Sequence, residues 1–221
     1  LAVDVDASGV HIGGDFTLVN GSPRTRVAKL DRATGALVGG FSCSPNNIVA
    51  DVRLQGSWLY LGGAFTTVGS TRNNIARVNA TTGVVDAWNP NASGTVYRVV
   101  PLASSVFTSG VFTTIGGQAR QFVAKLDTST GAAIAGFNTK PNNPPEDMLV
   151  DGTRLVLAGS FTSITGQARN RLASVDQNNG TLTAFDPNAN YTAFGLGMNQ
   201  ADLWSVGNFN TVGGLTRTGV V

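Results

Sequence analysis

The sequence is poor in the residue types that catalysis and charged interfaces use most. Its 221 residues include one cysteine, Cys43, one histidine, His11, and only 13% charged residues. A single cysteine excludes an internal disulfide. The formal net charge is +2 and no basic run concentrates it, which is too small a footprint for nucleic acid, so no nucleic-acid partner is predicted.

Long apolar runs and helix-forming composition are also lacking. No apolar stretch reaches the roughly 18 residues of a membrane-spanning helix, so no membrane span is predicted. The 28 glycines, with few lysines and glutamates, argue against helices. The sequence starts at Leu1 without a methionine or a signal-like segment, and we therefore expect a mature or trimmed part of a longer product.

What the sequence does contain is a repeat. A phenylalanine two residues after a glycine recurs every 47 to 49 residues, as Phe16, Phe65, Phe112, Phe161 and Phe209. Each repeat reads as four short strands, in the second one "VADVRL", "SWLYLGGAF", "NIARVN" and "VVDAW". Between the third and fourth strands lies Asp/Asn-x-x-Thr/Asn-Gly, where the Asp or Asn side chain is expected to bind backbone amides and the glycine to take a positive φ.

Four antiparallel strands in each repeat predict an all-β fold, a β-propeller of four-stranded blades, because blades cover each other's faces only when they stack around an axis. The alternative is a β-solenoid, but its coils are shorter, about 20–30 residues. We expect one domain of five units, the fifth incomplete. The units cover residues 1–49, 50–97, 98–144, 145–193 and 194–221. We also expect the parent chain to continue past Val221, or a neighbouring domain or chain to complete the fifth unit.

Three columns of the repeat are predicted to pack between the units. Two are aliphatic and the third is aromatic, at the end of each fourth strand. The columns are Val10, Leu59, Val106, Leu155 and Leu203; Val19, Val68, Ile115, Ile164 and Val212; and Phe41, Trp88, Phe137 and Phe185. We call the last set the docking aromatics.

The repeat pattern "GGxFTxVGGxxRxxIAxLDxxTGxxxxFxPN" resembles the delta-60 repeats of bacterial, often secreted, β-propeller proteins. The resemblance covers essentially the whole chain. It implies a propeller at the cell exterior, either secreted or on the cell surface, and it implies no particular chemistry. A weaker resemblance is to quinoprotein propellers, whose docking tryptophan is similar to Trp88 in "ARVNATTGVVDAW". Their vicinal cysteine pair and metal-binding carboxylates have no counterpart here.

Isolated residues with chemical potential have simpler structural interpretations. His11 occupies a column otherwise held by large, mostly apolar side chains, so we expect it to be packed rather than catalytic. Asp4, Asp6 and Ser8 are spaced like the start of a calcium loop, but the aligned stretches make the same turn without acids, which favours a plain hairpin. Cys43 is expected to be a partly buried free thiol. No catalytic residue, metal site or cofactor is predicted.

One recurrent feature is not required by the strands. An arginine follows the marker phenylalanine in the same loop of all five units, and a Pro-Asn pair recurs in the links between units. Because strands alternate in direction, these loops and links are expected to share one side of the fold, and longer loops are where binding usually resides. The candidate ligand-binding residues are Arg24, Arg72, Arg120, Arg169, Arg217, Asn46, Asn91, Asn142 and Asn188. The alternative is that the arginines only staple the units by binding carbonyl groups.

These observations favour a non-enzymatic extracellular or cell-surface recognition or adhesion module, which binds a glycan or a protein on one face. Two alternatives remain open at the level of sequence. The chain could be the propeller part of an enzyme, quinoprotein-like or a hydrolase, with its catalytic residues elsewhere. It could also be a purely structural repeat module in a surface assembly.

Overall fold

A computed structural model describes residues 1–200 and 202–221, and these residues form strands and turns without any helix. In this part of the chain there is accordingly no helix that could cross a membrane. The all-β prediction is confirmed.

The main strands form a series of small antiparallel sheets in chain order. In each three-stranded sheet the middle strand pairs with the strand before it and with a third strand further along. Sheet 1 has β1 (Ala2–Asp6), β2 (Gly9–Gly13) and β5 (Val27–Leu30); sheet 2 has β6 (Val49–Gln55), β7 (Trp58–Gly63) and β10 (Ile75–Asn79); sheet 3 has β11 (Val96–Pro101), β12 (Ser105–Gly110) and β15 (Val123–Asp127); sheet 4 has β16 (Pro145–Asp151), β17 (Arg154–Gly159) and β20 (Leu172–Asp176); sheet 5 has β21 (Ala193–Met198) and β22 (Leu203–Gly207).

A small ribbon of two-residue strands follows the second strand of each sheet, and in sheets 1 to 4 it precedes the third strand. The sequence predicted loops at these positions, because a strand of two residues is too short to show an alternation of apolar and polar side chains. The tip of the first ribbon is Asn20-Gly21, with φ of 51° and 74°, the left-handed pair that a tight hairpin needs. The ribbons are β3 (Leu18–Val19) with β4 (Ser22–Pro23), β8 (Thr67–Val68) with β9 (Ser70–Thr71), β13 (Thr114–Ile115) with β14 (Gln118–Ala119), β18 (Ser163–Ile164) with β19 (Gln167–Ala168), and β23 (Thr211–Val212) with β24 (Leu215–Thr216).

The prediction of a fourth strand in each of the first four units was wrong. The segments expected to form it make only one bridge each to the third strand. The reason is that each segment leaves its own sheet after one turn and carries its docking aromatic towards the next sheet. Trp88, for example, donates a hydrogen bond from its indole Nε1 to the carbonyl of Asp127, 3.0 Å away in the next unit. The bridges are Leu30–Leu37, Val78–Val85, Leu126–Ala133 and Val175–Leu182.

The core lies between neighbouring sheets, which touch through their first strands and their docking aromatics. Trp88 belongs to one apolar cluster with Val106 and Leu126 of the next sheet. Phe41 and Phe137 are fully buried, whereas Phe185 is only half-buried. The predicted aliphatic columns are buried in sheets 2 to 4, and their end members Val10, Val19 and Leu203 stay partly exposed.

Candidate functional site

The five arginines share one local contact. The guanidinium of each donates a hydrogen bond to the carbonyl of the residue before it, at the end of the ribbon. The pairs are Arg24 to Pro23 at 2.8 Å, Arg72 to Thr71 at 2.7 Å, Arg120 to Ala119 at 2.8 Å, Arg169 to Ala168 at 2.7 Å and Arg217 to Thr216 at 3.0 Å.

Three of these arginines also reach the segment that leads to their own unit's docking aromatic. Arg72 donates to the carbonyl of Asp86 at 2.7 Å, and Arg169 donates to that of Thr183 at 3.3 Å. Arg120, which is 6% exposed, donates to the carbonyl of Ile134 at 3.2 Å. Each of these three guanidinium groups therefore staples a ribbon to the outgoing segment, by which we mean the segment that leads to the docking aromatic of the same unit.

Stapling leaves part of the donor capacity of these arginines unused. A guanidinium has five N–H donors. The Nε atoms of Arg24, Arg72, Arg120 and Arg169 are buried and have no hydrogen-bond partner in the described part of the chain. Four of the five arginines thus combine a structural contact with an unpaired N–H group that is itself buried.

Asn46 and Asn142 hold the links against the ribbons, as expected for loops that share one side. The side-chain oxygen of Asn46 accepts a hydrogen bond from the backbone amide of Thr66 at 2.9 Å, and its amide donates to the hydroxyl of the same residue at 2.8 Å. Asn142 makes the same two contacts with Thr162, both at 2.8 Å.

Asn91 and Asn188 occupy a different place, so the Pro-Asn pairs do not mark one position. Both have a left-handed backbone, with φ of 56° and 51°. Their side-chain oxygens accept hydrogen bonds from the amides of Asn73 at 2.7 Å and Asn170 at 2.8 Å. These asparagines therefore join the link to the segment just after the ribbon, whereas Asn46 and Asn142 join it to the segment just before the ribbon.

The residues equivalent to Asn46 in these two links are Ser93 and Asn190, which the sequence reading missed. Ser93 accepts hydrogen bonds from the backbone amides of Thr113 and Thr114, both at 3.0 Å. Asn190 accepts one from the amide of Asn210 at 3.0 Å. The sequence could have revealed this equivalence, because Asn46, Ser93, Asn142 and Asn190 each stand five positions after a docking aromatic.

An open cleft of about 470 Å³ adjoins one arginine of this set, at the junction of sheets 3 and 4. Its lining includes Arg120, Gln121, Asn138 and Lys140. Neither Arg120 nor Lys140 forms an ion pair within the part of the chain that the structure describes. The cleft therefore carries positive charge that the protein itself does not neutralise.

A second cleft, of about 270 Å³, shares Asn138 with the first. Gln167, Asn179 and Thr181 are among the residues that line it. No residue of its lining is charged, and its exposed side chains are amides and hydroxyls. The two clefts therefore bring cationic, amide and hydroxyl groups together at this junction.

The turns between the third and fourth strands have the predicted chemistry. The carboxylate of Asp31 accepts hydrogen bonds from the hydroxyl of Thr34 at 2.6 Å and from its backbone amide at 2.8 Å, which lower the pKa of Asp31. Asp127 makes the same contacts with Thr130. Gly35 and Gly131 follow with φ of 69° and 77°.

The isolated candidates fall into structural roles. His11 is fully buried, its Nε2 lies 2.8 Å from the carbonyl of Ala80, and burial lowers its pKa, so it packs as the neutral form. Cys43 is 5% exposed, and burial raises the pKa of its thiol to about 12, which removes the thiolate needed by a nucleophile. Asp6 binds the hydroxyl and the backbone amide of Ser8 within a hairpin turn.

Among the described residues, no group of three or more histidine, cysteine, aspartate or glutamate side chains could hold a metal ion. Asp4, the first acid of the calcium-like stretch, accepts a hydrogen bond from the backbone amide of Leu54 at 2.6 Å in the next sheet. The stretch thus forms the end of β1 and a hairpin turn, and Asp4 also contacts the next sheet.

Comparisons with known proteins define the class of fold. The solved structures similar to this chain include two crystal structures of computationally designed proteins. The Ika4 protein is 11% identical, with a TM-score of 0.52 over 73% of this chain and 86% of that one. The Ika8 protein is 12% identical, with a TM-score of 0.58 over 98% of this chain and 72% of that one. At this identity the likeness concerns the fold alone.

A family model matches two segments of the sequence. It is described as a domain of unknown function (DUF5122) beta-propeller, and it matches residues 11–37 and 57–87. These segments run from the middle strand to the outgoing segment in sheets 1 and 2. The chain is thus an all-β protein of the β-propeller class. No curated protein matches it.

Proposed function

We propose that this chain is a β-propeller of five units, with a period of 47–49 residues, and that it serves as a non-enzymatic recognition or adhesion module outside the cell. The consecutive small sheets and the family match support the propeller. The extracellular or cell-surface location follows from the resemblance to delta-60 repeat proteins.

The ligand that best fits the arginine-bearing side is an acidic glycan. The observation that carries this choice is the 470 Å³ cleft in which the cations of Arg120 and Lys140 meet the amides of Gln121 and Asn138. Guanidinium and ammonium groups are donors only, so they suit carboxylate, sulfate and sugar oxygens. The size falls within the range of small-molecule sites, about 300–1,000 Å³.

Within this site the residues have different tasks. Arg120 is almost fully buried and shapes the wall, because its terminal nitrogens are bound to backbone carbonyls. Lys140, Gln121 and Asn138 are exposed and are the groups that would touch the ligand. Arg72 and Arg169 would act mainly as staples that hold their ribbons in place.

The experiment compares two variants that remove the same charge. Lys140→Ala removes a cation from the cleft, and Arg32→Ala removes an exposed cation whose side chain makes no hydrogen bond or ion pair within the described residues. Binding to a panel of sulfated and uronic-acid polysaccharides is measured at two salt concentrations. We expect Lys140→Ala to weaken binding about tenfold, the effect of losing one charged contact, and Arg32→Ala to leave it nearly unchanged.

Two outcomes would overturn the proposal. Equal losses in the two variants would mean that only net charge matters and that the cleft is not a site. Absence of binding to every acidic glycan would remove the proposed ligand, and an acidic protein segment or a purely structural role would replace it.

A further inference from the structure

We propose that the chain has a second binding site, for a neutral saccharide, at the junction of sheets 2 and 3. It is a cleft of about 500 Å³ formed by turns and by the floor between the two sheets. Its lining includes Trp58, Tyr60, Arg77, Gln55, Ser57 and Ser129. None of these residues belongs to the arginine-bearing loops, so the site does not depend on the function proposed for them.

Several contacts of Arg77 hold the floor of the cleft in one arrangement. The guanidinium carbon of Arg77 lies 4.5 Å from the ring centre of Trp58, 5.9 Å from that of Tyr60 and 5.7 Å from that of Trp88. Arg77 also donates a hydrogen bond to the carbonyl of Thr128 at 2.7 Å, across the junction. A preorganised aromatic surface loses little conformational freedom when a ligand binds.

The charge of the cleft selects an uncharged ligand. Arg77 is its only charged lining residue, and the carboxylate of Asp86 accepts hydrogen bonds from its Nε at 3.0 Å and from a terminal nitrogen at 2.5 Å. The ion pair leaves the floor close to neutral. An acidic ligand would meet no uncompensated cation here, in contrast to the cleft beside Lys140.

Free hydrogen-bonding groups surround the aromatic floor. Tyr60 is 2% exposed, so its hydroxyl, which accepts a hydrogen bond from Arg77 at 3.4 Å, belongs to the floor and not to the exposed rim. The side chains of Gln55, Ser57 and Ser129 are exposed and make no hydrogen bond within the described residues. An apolar platform with amide and hydroxyl groups at its rim matches a sugar ring, which has one apolar face and a rim of hydroxyl groups.

The repeat does not require this arrangement. The register position of Trp58 is taken by Gly9, Ser105 and Arg154 in sheets 1, 3 and 4, so the turn forms equally well without an aromatic ring. Among the described residues of this column, position 58 is the one that holds an aromatic side chain. A residue that departs from its repeat without a demand from the local backbone is a candidate for function.

The test is a titration with neutral oligosaccharides of glucose, N-acetylglucosamine and mannose, followed by tryptophan fluorescence and calorimetry. We expect Trp58→Ala to weaken binding at least tenfold and Trp58→Phe to weaken it less. The matched control is Trp204→Ala, which removes a tryptophan that is 48% exposed in sheet 5 and should leave the affinity unchanged. Lys140→Ala should also leave it unchanged.

A second variant separates lost binding from lost folding, because Trp58→Ala removes a partly packed side chain. Ser129→Trp fills the cleft from its exposed rim without removing any packed side chain, and it should abolish binding while the thermal melt stays the same. Equal affinity in Trp58→Ala and Trp204→Ala, or no response to any neutral oligosaccharide at millimolar concentration, would overturn the proposal. Loss of neutral binding in Lys140→Ala would mean that the two clefts are one site.

Discussion

The carboxylate of Asp51 accepts a hydrogen bond from the backbone amide of Val99, 3.0 Å away, although the two residues lie in the first strands of neighbouring sheets. The contact recurs between Asp147 and Leu196, at 2.8 Å. In sheet 3 the equivalent position holds Arg98, whose Nε donates to the carboxylate of Asp147 at 3.1 Å. Acidic residues of the first strands therefore link one sheet to the next.

The Asp51 contact predicts a pH dependence of stability. Asp51 is 1% exposed, and burial raises its pKa to about 6, although Arg53 opposes the shift. A pKa raised in the folded state means that the folded protein binds the proton more tightly than the unfolded chain. The stability that this proton contributes is fully present below about pH 4, the pKa of an unfolded aspartate, and is lost as the pH rises through about 6.

The variant that tests this is Asp51→Asn, which keeps an oxygen to accept the Val99 amide and cannot titrate. We expect the free energy of unfolding of the wild type, relative to the variant, to fall by about 2 kcal/mol between pH 4 and pH 7. Urea unfolding across this range measures it. Other titrating groups cancel in the difference, so a flat difference curve would show that Asp51 is not the titrating group.

The docking aromatic of sheet 2 predicts a large effect on stability. Trp88 is 3% exposed, packs edge-on against Tyr60 at 5.4 Å and donates a hydrogen bond to Asp127 in the next sheet. Trp88→Ala should lower the free energy of unfolding by about 3–5 kcal/mol, because a large cavity remains between the sheets.

Its control is Trp204→Ala, at the half-exposed tryptophan of sheet 5, which should change the stability by less than about 0.5 kcal/mol. Urea unfolding of both variants gives the comparison. If the two substitutions cost the same, the docking aromatic does not hold the junction.

The arginine staple can be separated from a ligand contact with one variant. Arg120 is 6% exposed and holds three backbone carbonyls, so Arg120→Ala should lower the stability by about 1–3 kcal/mol. Arg217 is exposed and binds only the carbonyl of Thr216, so Arg217→Ala should be nearly neutral. Thermal melts and binding to an acidic glycan panel are measured together. Lost glycan binding at unchanged stability would make Arg120 a ligand residue instead.

Much of the fold could be predicted because the repeat exposes it. Turn residues such as Asp31 and Gly35 lie within four residues of each other, and short-range contacts of this kind can be predicted from local sequence. Trp88 was recognisable as a docking residue because equivalent aromatic residues recur at the same place. Where a contact repeats, the alignment of units reveals it.

The rest could not be predicted because it depends on distances across the junctions. The cleft at Trp58 exists only where its turn meets Ser129, which lies 71 residues further along the sequence. The Pro-Asn pairs led to a wrong prediction of equivalent positions, because a similar local sequence does not ensure a similar contact. Asn46 and Asn91 look alike in sequence, but they stand at different distances from their docking aromatics and make different contacts.

The last prediction concerns how closely the sheets approach each other. Gly35 and Gly83 close the same turn in sheets 1 and 2, with φ of 69° and 79°. A Cβ atom at Gly35 would meet nothing within 4 Å, whereas one at Gly83 would lie 2.3 Å from the carbonyl oxygen of Ser42 in the preceding link. The two glycines therefore share the backbone requirement and differ in the space around them.

Alanine at either position should incur the cost of a left-handed backbone, about 1–2 kcal/mol. Gly83→Ala should cost at least about 2 kcal/mol more, because backbone atoms of Ser42 must move and overpacking of this kind typically costs 1–3 kcal/mol. Urea unfolding of the two variants measures the difference, and the shared backbone cost cancels in it. Equal destabilisation would show that the turn of sheet 2 does not press against the link from sheet 1. A larger cost at Gly83 would establish that glycine is required there by the neighbouring unit as well as by the turn.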